Sequence, residues 1–129
     1  MHSNNEQFCR IEVVMAFSEF EQKRYEKMMS QYIESRRPEP KIRNKVDLSF
    51  RVYDYSVEVF EVRPHWKDTS VIQTHSIAKA TFVNTQQHWK IFWMRSDLKW
   101  HTYKPDPTVD RLESFIEVLE TDEMGCFWG

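Results

Sequence analysis

Between Lys45 and Lys104, apolar residues recur at every second position in stretches joined by short links. Successive side chains point to opposite faces of a strand, so this period reads as a series of half-buried strands. Parallel neighbours need crossovers of roughly a dozen residues or more, usually helical, and short links therefore favour antiparallel pairing of sequential strands. The first strand sets Val46, Leu48, Phe50 and Val52 against Asp47, Ser49 and Arg51. A turn over Tyr53-Asp54-Tyr55-Ser56 leads into SVEVFEVR, where Val57 and Val59 oppose Glu58, Phe60 and Val62. That pattern predicts partial cover on both faces, and Pro64 ends the strand. The loop His65-Trp66-Lys67-Asp68 precedes a third strand from Ser76 to Val83, followed by a polar turn over Asn84 to Gln87. A fourth strand, His88 to Arg95, joins a fifth, Lys99 to Lys104, through Ser96-Asp97.

Helical spacing flanks this block. Ser18 stands three residues before Glu21, the spacing of a capping box, and opens EFEQKRYEKMMSQYIESRR. Phe20, Tyr25, Met28, Met29, Tyr32 and Ile33 form its apolar face, a stripe read as core, and Pro38 and Pro40 end the helix. After Pro105 and Pro107, Thr108 is placed to cap a second helix with Val109, Leu112, Phe115, Ile116 and Leu119 on one face, ending near Glu120. In the tail TDEMGCFWG, Phe127 and Trp128 follow Gly125 and are expected to dock on the body or on a partner. The fold class is therefore α+β: helix, five-stranded antiparallel meander sheet, helix, with both helices on one face. One domain spans 17–129. Residues 1–16 read as an N-terminal extension, either an edge strand or disordered.

Composition narrows the function classes. With 40% hydrophobic residues, 15% aromatics and two glycines in 129 residues, the chain can build one packed core. A net charge of -2, from 18 basic and 20 acidic residues, supplies no global field for nucleic acid or an anionic membrane, so such partners need a local patch. Cys9 and Cys126 are too few for a disulfide framework, which predicts reduced thiols. No stretch approaches the roughly 20 apolar residues of a membrane span, and the N-terminus lacks a basic region followed by an apolar one. A cytoplasmic location without membrane attachment is the expectation.

Three constellations are candidates for chemistry. His65, His75, His88 and His101 show no metal-site spacing such as H-E-x-x-H, although His65, His101 and Cys126 would make a spatial site if folding joined them. Asp47 with Glu61-Val62-Arg63 resembles a nuclease-like carboxylate set, in which paired carboxylates hold a metal that activates water for phosphodiester hydrolysis. This requires Asp47 and Glu61 to meet across the sheet, and an arginine stands where lysine is usual. The third set is Lys90, Trp93, Arg95, Lys99, Trp100, His101 and Tyr103, with Arg63 and Trp66. Rings beside cations suit single-stranded nucleic acid, and also the cores of protein interfaces.

The fragments VEVFEVRPHW, IAKA, HWKIFWMRSDLKWHTYKP and TDEMGCFWG resemble a family of small bacterial proteins known only as a domain of unknown function. The likeness rests on Arg63-Pro64-x-Trp66, Ala78-Lys79, Trp89, Trp93-x-Arg95 and Lys99-Trp100-His101-x-Tyr103, and spans Phe17 to Gly129. The resemblance implies a bacterial, cytosolic protein, in some relatives carried in mobile gene arrays, and transfers no catalytic residues. The expectation is a small binding or accessory module, homodimeric or bound to a protein partner, with no cofactor, and single-stranded nucleic-acid binding or metal-dependent phosphodiester hydrolysis stays open as the alternative. Its ligand-binding patch would gather Arg63, His65, Trp66, Lys79, Arg95, Trp100, His101 and Tyr103 at one end of the sheet, with Arg63 or Arg95 anchoring a small anionic ligand. The C-terminal Phe127 and Trp128, folded over that end, would complete a dimer contact.

Overall fold

The computed structural model describes residues 17–129; the N-terminal extension over 1–16, with its candidate edge strand and Cys9, lies outside the described residues. Helix α1, Glu19–Arg36, starts at the expected cap: Ser18 Oγ accepts from the Glu21 N–H at 3.1 Å, and Glu21 Oε1 accepts from the Ser18 N–H at 3.2 Å. Tyr25, Met29, Tyr32 and Ile33 are buried from this helix, and Met28 packs against them. Phe20 instead lies exposed. Five residues before Tyr25, it sits roughly 140° around a helix of 3.6 residues per turn and misses the sheet.

A short 3₁₀ turn, Pro40–Ile42, leads into the sheet. Strands β1 (Asp47–Tyr53), β2 (Ser56–Pro64), β3 (Ile72–Val83), β4 (His88–Met94) and β5 (Trp100–Thr102) form an antiparallel meander in the order β1-β2-β3-β4-β5. Two departures from the sequence reading occur after β4. Thr108 does not cap a helix: Thr108–Val109 form a short β6 that pairs with Lys90 and Trp89. Because β5 covers only Phe92 to Met94, the rest of that edge of β4 is left for β6, and Ile91 donates to the Pro107 carbonyl between them. Helix α2 consequently begins later, at Leu112, and runs to Thr121.

The third strand also starts earlier than its apolar stretch. Val59 pairs with Ala78 and Phe60 with Ser76, so Ile77 is the extra residue of a bulge, and pairing continues to Ile72. The β2–β3 hairpin thus projects beyond the partners of both its strands.

Register divides the sheet into two faces. Leu48, Phe50, Val57, Val59, Ala78, Ala80, Trp89, Ile91, Trp93, His101 and Val109 share one face, and both helices join the same buried cluster there. Its centre is aromatic: Tyr25 meets Trp89 edge-on at 5.2 Å, and Phe17 lies 4.9 Å from Tyr25. The C-terminal tail closes this face. Asp122, in the left-handed region, ends α2 and accepts the N–H groups of Phe127 (3.0 Å) and Trp128 (2.9 Å). Phe127 is buried against Tyr103, while the Trp128 indole donates to the Leu119 carbonyl and lies under Arg36 at 4.0 Å. The other face carries no described helix.

Candidate functional site

On a solvated antiparallel face, alternation normally delivers polar side chains. Here the open face carries Tyr53, Phe60, Val62, Phe92, Met94 and Trp100, all partly exposed, interleaved with Arg51, Lys79 and Lys90 and with the small polar Ser49, Thr81 and Thr102. At its centre lies Glu58, only 2% exposed although no described helix covers it. Its neighbours seal it. Arg51 grips both carboxylate oxygens at 3.1 and 3.2 Å, the Tyr53 hydroxyl donates at 2.9 Å, and the Ser76 hydroxyl donates to Oε2. The bulge makes this set: three residues apart, Ser76 and Lys79 would face opposite ways on a regular strand, and the extra Ile77 turns both onto the open face.

Two cations of this face, Arg51 and Lys79, lie on rings. Arg51 sits 5.1 Å from the Phe60 centroid and 5.5 Å from that of Tyr53. The Lys79 ammonium sits 4.7 Å from the Trp100 ring and 5.3 Å from Phe92. Burial pushes the Lys79 ammonium below its ordinary pKa, with the Glu58 charge opposing that shift. Burial, and then the bond to Glu58, push the Tyr53 phenol up to about 12.

The eight residues of the sequence-derived patch occupy four places. Lys79 and Trp100 belong to the open face. Arg95, His101 and Tyr103 meet on the helix-bearing face, around a hollow also lined by Trp93, Lys104 and Cys126. Arg63, paired with Glu61 at 3.0 Å, lines a separate hollow with Arg36 and Trp128. His65 and Trp66 cap the projecting hairpin, stacked at 5.7 Å, with His65 Nδ1 accepting the Lys67 N–H and Trp66 85% exposed. Phe127, named for a dimer contact, is instead buried in the core of its own chain.

A family model described as a domain of unknown function (DUF3024) matches residues 17–129. The chain belongs to this family. The match takes in the open face, both hollows and the C-terminal clamp of this DUF3024 domain. Neither the curated proteins nor the solved structures contain a match to the chain.

The carboxylates named for a metal centre both reach the Arg63 hollow but leave the DUF3024 sheet on opposite faces. Asp47 pairs with Val62 and Leu48 with Glu61, so alternation sends Asp47 and Glu61 to opposite faces. Each has its own arginine: Arg37 binds Asp47 at 2.9 and 2.8 Å, holding its carboxyl below the usual range, and Arg63 binds Glu61. His101 and Cys126 line one hollow, and His65 stands at the hairpin tip away from it. Among the described residues, no three His, Cys, Asp or Glu side chains form a group able to hold a metal ion. No helix among them is long and apolar enough to cross a membrane.

Sequence reasoning did not single out Glu58, Phe60 or Phe92 as site residues. The signal present in the sequence was the second apolar set of the β2 alternation, Phe60 and Val62 on the side of Glu58.

Proposed function

We propose that the chain is a binding module acting through the face of its sheet that no described helix covers, and that the occupant of that face is a second copy of the chain. The observation that carries this reading is the group Phe60, Phe92, Met94 and Trp100 near a sealed Glu58, large apolar side chains on a face whose other positions, Ser49, Thr81, Lys90 and Thr102 among them, are polar. Large rings with arginine are the residues enriched at interface cores. The central charge is already neutralised by Arg51 within its own chain, so a second copy covers this face without leaving a bare carboxylate. The same reading takes the protein as a bacterial cytoplasmic accessory protein, without enzymatic activity of its own.

Single-stranded nucleic acid is the competing occupant, since bases stack on exposed rings. The Lys79 ammonium already lies over Trp100 and Phe92, which favours a packed protein contact over base stacking. Light scattering on the full chain at micromolar concentration is expected to give the mass of a dimer, and Phe92→Glu or Met94→Glu to give a monomer that remains folded. A monomeric wild-type chain that binds short oligonucleotides with a steep salt dependence would transfer this face to nucleic acid.

A further inference from the structure

Independently of what covers the open face, the hollow beside the C-terminal tail has the chemistry of a ligand site. Trp93 and His101 are cross-strand partners, and Arg95 and Tyr103 share their face by period-two alternation. Diagonal neighbours of this kind lie about 7–8 Å apart, within reach of long side chains. The tail adds Met124 and Cys126 to the lining, and Pro105 contributes to it as well.

The charges in this hollow are of one sign. Arg95 and Lys104 line it, and no carboxylate does. The nearby Asp97 is bound to His101 Nε2 at 2.8 Å and does not line the hollow. Burial pushes both the Cys126 thiol and the Tyr103 phenol above their ordinary pKa values, so neither contributes a negative charge near neutrality. The Arg95 guanidinium makes no hydrogen bond or ion pair with any described residue; it lies over the Trp93 ring at 5.4 Å, and its charge reaches Asp97 and Cys126. By contrast Arg36, Arg37, Arg51 and Arg63 all bind carboxylates. An exposed guanidinium fork with no carboxylate bound to it, set over an indole and beside an apolar wall, matches an anion that carries an apolar body.

We infer that this hollow binds a small organic carboxylate, with the carboxylate on Arg95 and the apolar body against Trp93, Pro105 and Met124. Arg95 supplies the charge and the two-pronged donor geometry. His101, fixed in orientation by Asp97, flanks the carboxylate, and Lys104 adds to the field at the mouth.

The test is titration of the ¹⁵N-labelled full chain with benzoate, read on the indole N–H resonances. The result expected is a saturable shift of the Trp93 indole, with those of Trp66, Trp89 and Trp128 unmoved. Benzyl alcohol, of similar shape but without the charge, is expected to leave Trp93 in place. Arg95→Gln is expected to weaken benzoate binding about tenfold or more, the scale of one lost charge-assisted contact. Arg95 is exposed, so this variant should keep the remaining indole resonances where they are, which reports its fold directly. The inference is overturned by the absence of a saturable Trp93 shift, by benzyl alcohol acting as well as benzoate, or by unchanged affinity in a folded Arg95→Gln chain. Inorganic phosphate binding as tightly as benzoate would also overturn it, since the apolar wall would then have no part.

Discussion

Glu58 shows how a carboxylate is kept almost wholly out of water on a sheet face that no described helix covers. Its cross-strand partners are Arg51 and Lys79, and its oxygens take donors from Arg51, Tyr53 and Ser76. Hydrogen bonds to a buried charge contribute about 1.5–3 kcal/mol, so Glu58→Gln, which keeps the shape and loses the charge, should cost about 1–3 kcal/mol in urea unfolding. An unchanged midpoint would mean that the network is ornamental. The tyrosines give a second prediction. A phenol raised in the native state to about 12, from 10.0 in the unfolded chain, favours folding fully below pH 10 and loses that contribution as pH rises toward 12. Burial raises Tyr32 as well, aided by its bond to Glu120, and it acts with the same sign. Stability measured stepwise across that window should therefore fall, and Tyr53→Phe should flatten part of the decline. The role of Glu58 was not legible in the sequence, because its burial depends on side chains from two other strands and on a bulge.

At the scale of elements, the sequence was informative wherever the governing contacts are local. The capping box at Ser18, the turn at Asp54-Tyr55 and the polar turn after Val83 depend on residues within a few positions, and each is present in the fold. Elements settled by distant partners were harder to read. Residues Ile72 to His75 have no alternating apolar pattern and become strand because β2 extends alongside them. Thr108 and Val109 carry a cap-like residue and an apolar one, yet an unfilled edge of β4 makes them strand. The tail is a further element whose strength comes from remote contacts. Asp122 holds two backbone N–H groups, and Arg36, Tyr32, Glu120 and Trp128 tie α1, α2 and the tail into one network. Asp122→Ala should cost about 2–4 kcal/mol, from two bonds to a charged acceptor, with Asp122→Asn recovering part of the loss. Thermal unfolding of the two variants beside wild type checks the order. Equal stability of Ala and Asn would show that the tail is held by Phe127 and Trp128 packing alone.

For the whole molecule, the asymmetry of the two sheet faces is the feature from which function is argued. One face is consumed by helices and tail, which bury Phe127 and leave hollows at the margin, the Arg95 hollow among them. The other keeps rings, cations and a neutralised acid within reach of a partner. The sequence contained the rings and cations but could not distribute them, because which of Trp93 and Trp100 faces the core is decided by the β4–β5 register, Trp93 opposite His101 and Met94 opposite Trp100. The same register turns the tryptophans into reporters of separate regions. Trp66 marks the hairpin tip, Trp89 the core, Trp93 the hollow, Trp100 the open face and Trp128 the tail.

The most direct test of self-association through the open face is therefore a dilution series of the ¹⁵N-labelled full chain, following the five indole resonances. The Trp100 resonance should move with protein concentration while those of Trp89, Trp93 and Trp128 stay fixed, and Phe92→Glu should freeze it at the dilute position. A Trp100 resonance unmoved across a concentration range in which the mass doubles, or a shift confined to Trp66, would place the contact elsewhere and contradict the account.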